Sequence, residues 1–502
     1  MNILRSLLCL SVLALLFAGC EQQSKYDVIV LQSKVKELEQ QLQSLQDQVG
    51  DNTDRKKLQT TIDRLQEEVI RLRQSIENGQ TSQASPTSAQ PEATPAVVIM
   101  AEPTAAEIEA AITAFESAGA SIEKDDAGNV LSVRATEFPL EQSVIEQLAS
   151  FRNIKSVAVS GPWVTEEMFK VFGTMPSLER VDCEVTAANT AALKHLVDLP
   201  KLKFLQLFRT DIDDDSLAVL SRMNSLEQIR CGQTRVGDDG LKHLENLKTL
   251  KAIDLSDCNR VSGKGLAYLA KLPSLKFLKV WGPLIDDAAL QVVSEMKRLE
   301  VLGLNDTLVT DVGMKKLSTL ENLKEIHLVR TGIGDGTLEM LSGKRGIHTL
   351  RLRDTVISDK GLDALAKLPG LKKLDLSENN SPGITDEGLK SVAKIGSLVE
   401  LNLWTTSVSD QGVQELSRLP NLKWLNLDNT KITDKACDTL QSMSQLTWLH
   451  LGKTKLTDES IGPLLKLEQL KYLNVSHTEI SQDGFFQLDD ELAPRGGIVI
   501  QP

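Results

Sequence analysis

The sequence has no excess of basic residues and no histidine or cysteine spacing typical of a metal site. Its 56 lysines and arginines are outnumbered by 69 aspartates and glutamates, which gives a net charge of −13. A chain without a basic stripe has little to neutralise phosphates, so nucleic acid is not expected as a main partner. The six histidines form no His-x-x-x-His pair, and the sequence predicts neither a metal site nor a cofactor.

Recognisable catalytic motifs are missing as well. Residues 332–336 (Gly-Ile-Gly-Asp-Gly) resemble a phosphate-binding loop but lack the lysine that such a loop needs. No segment supports a Ser-His-Asp arrangement, and we predict that the protein is not an enzyme. A group of acids that suggests calcium ligands is better explained as negative charge at the start of a helix. It comprises Asp211, Asp213, Asp214 and Asp215.

The sequence does have an internal repeat with a step of 24 residues. Each copy reads Leu-x-x-Leu-x-Leu-x-x-Thr-x-Ile-Thr-Asp-x-Gly-Leu-x-x-Leu-x-x-Leu, and the clearest copy begins at residues 422–434. We call the first threonine of this motif the marker. The markers are Thr186, Thr210, Thr234, Thr307, Thr331, Thr355, Thr406, Thr430, Thr454 and Thr478, with Cys258, Pro283 and Asn379 in the other copies.

Each copy combines a strand pattern with a helix pattern. Leu205 and Leu207 alternate as in a strand with one buried face, whereas Leu241, Leu244 and Leu247 lie on one face of a helix. Neither element can bury its apolar side alone, so successive copies must stack. The predicted fold class is therefore α/β, with a parallel sheet on one side and helices on the other.

Two polar features of the repeat have structural interpretations. A Ser/Thr-Asp pair before each helix pattern offers an N-cap and places negative charge at the helix start. The marker threonines, stacked in register, are expected to bond backbone groups of the adjacent turn. The Ser/Thr-Asp pairs include Thr310-Asp311, Ser358-Asp359, Ser409-Asp410 and Thr433-Asp434.

At these residues the chain resembles the leucine-rich repeat family, in the short form with an Ile-Thr-Asp-x-Gly-Leu second half. The resemblance covers roughly residues 130–490. It implies a curved solenoid, with the parallel sheet on the concave side and helices on the convex side, that binds other macromolecules on the concave sheet. It supplies no catalytic residues. We assign residues 105–135 to an N-terminal cap, 136–490 to the repeats and 491–502 to a C-terminal cap.

The first residues are predicted to be a lipoprotein signal peptide. An apolar run ends in Phe17-Ala18-Gly19-Cys20, which resembles a bacterial lipobox. Residues 1–19 would be removed, and residues 20–26 would form an N-terminus anchored by lipid on Cys20. The predicted location is the bacterial cell envelope, periplasmic or surface-exposed, with the outer membrane preferred. The alternative is an ordinary signal peptide with a chance cysteine.

Two apolar heptad runs follow within residues 27–77. Valine or isoleucine occupies most a-type positions and leucine every d-type position, which favours a parallel dimeric coiled coil. We predict a homodimer formed through residues 28–76. A helical hairpin within one chain and a single amphipathic helix are the alternatives. Residues 78–104, rich in Ser, Thr, Gln and Pro, are predicted to be a disordered linker.

Aromatic residues make up only 4% of the chain, yet they concentrate at outward strand positions. Strand alternation directs the residues six, four and two places before each marker away from the core. Exposed Trp and Tyr typically carry binding energy at interfaces. The alternative is that these rings only stiffen the sheet. The predicted ligand-binding residues are Trp404, Trp424, Trp448, Tyr472, His450, His477, Trp281 and Phe208.

The sequence thus favours a lipid-anchored, non-enzymatic envelope protein that binds a protein or polysaccharide partner through the concave face. The alternative function is a structural envelope spacer, or oligomeric scaffold, with no specific ligand. A second surface patch is basic but lies beside acids, and a solvated ion network explains it equally well. This patch comprises His327, Arg330, Arg351 and Arg353.

Overall fold

The computed structural model of the protein describes residues 103–136, 140–379 and 383–500. The predicted signal peptide, the predicted lipidation site Cys20, the heptad runs and most of the predicted linker lie outside the described residues. Within the described ranges, strands and helices alternate along the chain. No helix in those ranges is both long enough and apolar enough to cross a bilayer.

Seventeen strands of the described residues form one sheet. In chain order, β1 to β17 are Ser121–Lys124, Val130–Ala135, Ser156–Val159, Arg180–Asp182, Phe204–Gln206, Gln228–Arg230, Ala252–Leu255, Phe277–Val280, Val301–Gly303, Glu325–His327, Thr349–Arg351, Lys373–Asp375, Glu400–Asn402, Trp424–Asn426, Trp448–His450, Tyr472–Asn474 and Ile498–Ile500. β1 is antiparallel to β2. From β2 to β17, every strand is parallel to the next one along the chain.

The helices are short and lie between consecutive strands, except for the first, which precedes β1. The α-helices are Ala105–Ser117, Gln142–Glu146, Glu166–Gly173, Thr190–Lys194, Asp214–Leu220, Asp238–His243, Gly263–Leu269, Ala289–Val293, Asp311–Lys315, Asp335–Leu341, Asp359–Leu365, Asp386–Val392, Asp410–Leu416, Asp434–Leu440, Ile461–Leu465 and Gln482–Leu492. Short 3-10 helices occupy Gln147–Ser150, Leu244–Asn246, Lys316–Thr319, Asp458–Ser460 and Ala493–Arg495. This alternation confirms the predicted repeat solenoid, with the sheet on its concave side and the helices on its convex side.

The leucines of the motif form a continuous core between the sheet and the helices. Leu422, which precedes β14, is 1% exposed. Leu425 in β14 and Leu427 directly after it are 0% exposed. One buried cluster runs from Ala111 to Val499. Burial of each such side chain contributes about 1.5–3 kcal/mol relative to leaving it in water. The outward face of the sheet takes no part in this core and is free to present other side chains.

The marker threonines do not bond backbone groups of the adjacent turn, so that expectation was wrong, although the hydroxyl of Thr355 also donates to the side chain of Asn379 in the next turn at 2.8 Å. The hydroxyl of Thr430 donates to the carbonyl of Leu427 in its own turn at 2.6 Å, and other marker threonines repeat this bond. The residue before the marker has a left-handed backbone, as at Asn429 with φ 56°. This tight turn brings the hydroxyl back over the end of its own strand. The longer side chain of Asn379 does reach the preceding turn, where it donates to the Leu352 carbonyl at 2.8 Å.

The Ser/Thr-Asp pairs cap the helices and also join consecutive repeats. The hydroxyl of Thr433 accepts from the backbone N–H of Lys435, as predicted for an N-cap. The carboxylate of Asp410, one repeat earlier, accepts from both the N–H and the hydroxyl of Thr433 at 2.7 Å each. Ser358 is an exception only at the cap, because its hydroxyl accepts no bond from the helix. It still donates to Asp335 of the preceding repeat.

Candidate functional site

Three neighbouring strands carry an aromatic residue at the same outward position. Trp424 on β14, Trp448 on β15 and Tyr472 on β16 are paired in register. We call these residues, together with His450 on β15, the aromatic cluster. Neighbouring strands lie about 4.8 Å apart, so the register alone brings the rings within contact distance.

The rings of the aromatic cluster pack against one another. Trp448 and Tyr472 stack with 4.5 Å between centroids and 12° between planes. His450 lies 5.4 Å from Trp424 and 4.9 Å from Tyr472, in tilted arrangements. An aromatic pair contributes about 0.5–1.5 kcal/mol beyond its buried area. The rings therefore hold one another in place, which gives them a stiffening role whether or not they also bind a ligand.

The aromatic cluster still presents ring surface to solvent. Trp448 is 43% exposed. One of its faces is stacked on Tyr472, so the exposed area belongs to the remainder of the side chain. Trp424, Tyr472 and His450 are half-buried. An exposed indole fixed on a rigid sheet loses little side-chain entropy on binding, which suits it to anchor a partner.

Asp428 places a carboxylate beside the aromatic cluster. Its Oδ1 accepts from the backbone N–H of Gly452 at 2.5 Å, and its Oδ2 accepts from Asn474 Nδ2 at 3.2 Å. His450 Nδ1 lies 3.7 Å from the same carboxylate, which is too far for a hydrogen bond. The aspartate is thus fixed by neighbouring turns, and the imidazole is held by its ring contacts and not by a bond to this carboxylate.

A row of asparagines, which the sequence pattern did not indicate as binding residues, borders the aromatic cluster. Asn402 on β13, Asn426 on β14 and Asn474 on β16 occupy the row that includes His450. All three are half-buried, so their amides line the outward face. The signal that identifies them is positional, because each lies four residues before its marker.

Trp404 does not join the aromatic cluster. Its ring lies under the guanidinium of Arg353, with 5.0 Å between the guanidinium carbon and the ring centroid. Arg353 also donates to Glu378 at 2.6 Å. A cation above an indole is attracted by the negative ring face, so this tryptophan belongs to the charged surface of the preceding repeats.

The other predicted ligand-binding residues lie apart from the aromatic cluster. His477 is exposed and adopts the left-handed turn conformation, with φ 58°. Trp281 is half-buried, and its indole nitrogen is buried without a hydrogen-bond acceptor. Phe208 packs over Gly232, where a Cβ would meet the ring at 2.7 Å. Trp281 and Phe208 follow β8 and β5, many strands away from β14.

The basic patch of the central repeats is largely neutralised. Arg330 pairs with Asp306 at 2.5 Å. His327 is 3% exposed, and this burial, followed by the nearby charge of Arg351, lowers the pKa of its imidazole. His327 is thus neutral at pH 7, and the patch is an ion network more than a concentrated positive site.

A shallow depression connects this charged surface to the aromatic cluster. Its volume is about 160 Å³, large enough for a small polar group of a larger ligand but small for a drug-sized molecule. The lining residues are Thr349, Leu350, Arg351, Lys373, Leu374, Asp375, Glu400, Asn402 and Trp424.

The acidic residues near the start of the helix Asp214–Leu220 have structural partners. Asp213 caps the helix by accepting from the N–H of Ser216 at 3.1 Å, and Asp214 accepts from the N–H of Gly237 at 2.6 Å. In the described ranges, no group of three or more His, Cys, Asp or Glu side chains is arranged to hold a metal ion.

The repeat geometry and a family comparison define the class of this protein. It belongs to the leucine-rich repeat family, because residues 231–490 match the family model described as a leucine-rich repeat region. This family is commonly a protein-binding scaffold, and no enzyme family is indicated. A comparison with curated proteins gives no match.

Solved structures with the same repeat architecture are distant in sequence. An internalin from Listeria monocytogenes is 19% identical, with a TM-score of 0.43, over 79% of this chain and 95% of the internalin. A leucine-rich repeat protein from Leptospira interrogans is 16% identical, with a TM-score of 0.42, over 72% and 92%. The matching chain of the yeast Rad7–Elc1 complex is 19% identical, with a TM-score of 0.48, over 63% of this chain and 84% of its own length. At these identities and TM-scores, the ligands and partners of those proteins cannot be assigned to this chain.

Proposed function

We propose that this protein is a lipid-anchored, non-enzymatic binding protein of the bacterial cell envelope. It holds a protein or polysaccharide partner against the concave face of its solenoid. The lipid on Cys20 anchors it, the heptad segment of residues 28–76 pairs two chains, and residues 78–104 tether the solenoid. The observation that supports binding best is Trp448, which keeps 43% of its surface exposed on an otherwise fixed cluster of rings.

Charge and position support the aromatic cluster over the central repeats as the contact site. In the central repeats, arginines such as Arg330 and Arg353 already have acidic partners. A ligand there would have to compete with ion pairs that solvent already screens. On β14 to β16, Trp448 is 43% exposed, and no acceptor is bonded to the amide nitrogen of Asn426 in the described part of the chain, so a ligand gains from burying the ring and bonding the amide.

The test is capture of envelope components by the immobilised protein. We expect Trp424→Ala combined with Trp448→Ala to abolish capture while the protein stays folded. The thermal unfolding midpoint should fall only slightly, because both side chains lie outside the core and each lost ring pair contributes about 0.5–1.5 kcal/mol. The matched control is Phe486→Ala, an aromatic that is 49% exposed on the final helix. Capture that survives the double variant would refute the site, and the absence of any captured partner would favour the spacer function.

A further inference from the structure

The outward face of the sheet changes character between its central and its C-terminal strands. On β10 to β12 the outward positions hold charged side chains, including Glu325, Arg351, Lys373 and Asp375. On β14 to β16 the same two rows hold only the aromatic cluster, Asn426 and Asn474. A neutral surface of this kind favours a ligand that offers hydrogen bonds and apolar faces without charge.

The asparagines of this surface are held in a defined orientation. Oδ1 of Asn402 accepts from the backbone N–H of Trp404 at 3.1 Å, and Oδ1 of Asn426 accepts from that of Asp428 at 2.8 Å. The bonded atom must be the oxygen, because an amide nitrogen cannot accept. In the described part of the chain, no acceptor lies within bonding distance of either Nδ2 group. Each therefore presents two N–H donors towards a ligand.

A second kind of polar group completes this surface. The carboxylate of Asp428, held by Gly452 and Asn474, is an acceptor beside these donors. Trp448 adds an indole that is 43% exposed, and the negative quadrupole of such a ring attracts polarised C–H groups. Donors, an acceptor and a ring face thus lie side by side on neighbouring strands.

Single-stranded nucleic acid also stacks on aromatic rings, but it requires a positively charged groove along its backbone. Here the charged groups on β13 to β16 are the carboxylates of Asp428 and of Glu400, which is in register with Trp424 and paired with Lys373. These carboxylates would repel phosphate. Nucleic acid is therefore the poorer fit.

An extended peptide matches the donor spacing less well. Asn402 and Asn426 lie on adjacent strands, about 4.8 Å apart. Carbonyls that point to the same side of an extended peptide recur every second residue, at about 6.6 Å. The carbonyls of an extended peptide lying across the strands are therefore out of step with these two amides by about 1.8 Å. A chain of six-membered sugar rings carries hydroxyls on every ring and is not restricted to that interval.

We infer that the surface formed by the aromatic cluster, Asn402, Asn426 and Asp428 binds a neutral polysaccharide lying across β13 to β16. Sugar hydroxyls accept from the Nδ2 groups and donate to Asp428, while the C–H face of one ring packs on Trp448. This inference rests on the proposed function and narrows its ligand to one class. The Nδ2 groups provide the specificity, because an amide donor left unpaired on binding is costly.

Calorimetric titration of the full-length protein tests this inference. The probes are cellohexaose, maltohexaose and chitohexaose, with hexagalacturonate as the charged counterpart. We expect at least one neutral hexasaccharide to bind, and Asn402→Asp combined with Asn426→Asp to weaken it about tenfold or more. Aspartate keeps the oxygen that accepts the backbone N–H, as Asp254 already does at this position on β7, so the double variant should fold.

Matched variants separate ligand loss from damage to the fold. Asp254→Asn makes the reverse exchange far from the patch and should leave the affinity unchanged, whereas Trp448→Ala should lower it. Failure of all three neutral probes to bind, tighter binding of hexagalacturonate, or full affinity in the double asparagine variant would overturn the polysaccharide assignment. If envelope capture still depended on Trp424 and Trp448 in that case, the proposed binding function would stand with a protein as its partner.

Discussion

At the scale of single residues, the glycine of the Asp-x-Gly motif is required by the preceding repeat. A Cβ on Gly412 would overlap the carboxylate of Asp386. That carboxylate needs the space because it accepts from the N–H of Ser409, the N-cap of the helix that contains Gly412. The same relation holds between Gly388 and Asp359. The Asp-x-Gly motif therefore reflects close packing between copies, in which the aspartate carboxylate of one copy lies against the glycine of the next.

This contact predicts the effect of adding one methyl group. Gly412→Ala should lower the free energy of unfolding by about 1–3 kcal/mol, because the carboxylate or the helix must shift. The gain in helix propensity, about 1 kcal/mol, offsets only part of that loss. Urea unfolding followed by circular dichroism measures the difference.

Gly462→Ala is the matched control for Gly412→Ala. Gly462 lies in the helix Ile461–Leu465, and a Cβ there would meet nothing within 4 Å. This substitution should be neutral or stabilising by up to about 1 kcal/mol. Equal stability of the two variants would show that the crowding at Gly412 has no energetic consequence.

The sequence predicted which side chains of the candidate site face outward but not which of them meet. Strand alternation places Trp424, Trp448 and Tyr472 on one face, and the structure has them in register. Trp404 contacts Arg353 instead, because it lies beyond the end of β13, where the chain turns. The asparagine row was missed because an outward asparagine looks like an ordinary solvated residue until its bond to the strand end is known.

At the scale of elements, the helices are joined in series by the aspartates that begin them. Asp434 accepts from the N–H and the hydroxyl of Thr457 at 2.8 Å each, as Asp410 does from Thr433 one repeat earlier. Sequence alone predicts the N-cap, since that contact is local. It does not predict the bond across repeats, because this depends on how closely the copies stack.

The bond across repeats is expected to contribute to stability. Asp410→Ala removes both acceptors from Thr433 and leaves its half-buried N–H without a protein partner, which should cost about 1–3 kcal/mol. Thermal unfolding measures the loss. Asp438→Ala, at an exposed acid in the helix Asp434–Leu440, should have little effect. Equal losses in the two variants would point to helix charge, not the bond between repeats, as the source of stability.

At the scale of the whole molecule, the repeat made the solenoid predictable, but it gave no information about the first strand, β1. A step of 24 residues leaves stacking as the only way to bury every leucine. β1 lies outside the repeat and is mostly exposed, so it has no alternating pattern. It pairs antiparallel with β2 and covers the edge that β2 would otherwise expose.

The predicted dimeric coiled coil of residues 28–76 has a consequence for binding that a single solenoid lacks. If residues 28–76 form a parallel dimer, each molecule carries two solenoids, and the second contact with a repetitive polymer becomes intramolecular. Sedimentation equilibrium of residues 21–502 should then give twice the monomer mass.

Substitutions at two apolar heptad positions test the predicted coiled coil. Leu38→Lys with Leu65→Lys places charge at d-type positions and should yield monomers. Gln40→Lys with Glu67→Lys adds the same side chains at outward positions and should remain dimeric. A monomeric wild type would contradict the dimer and leave the helical hairpin and the single amphipathic helix as the alternatives. The affinity for a long polysaccharide should fall in the variant with Leu38→Lys and Leu65→Lys. The affinity for a hexasaccharide should stay constant, because only the long chain can reach both solenoids.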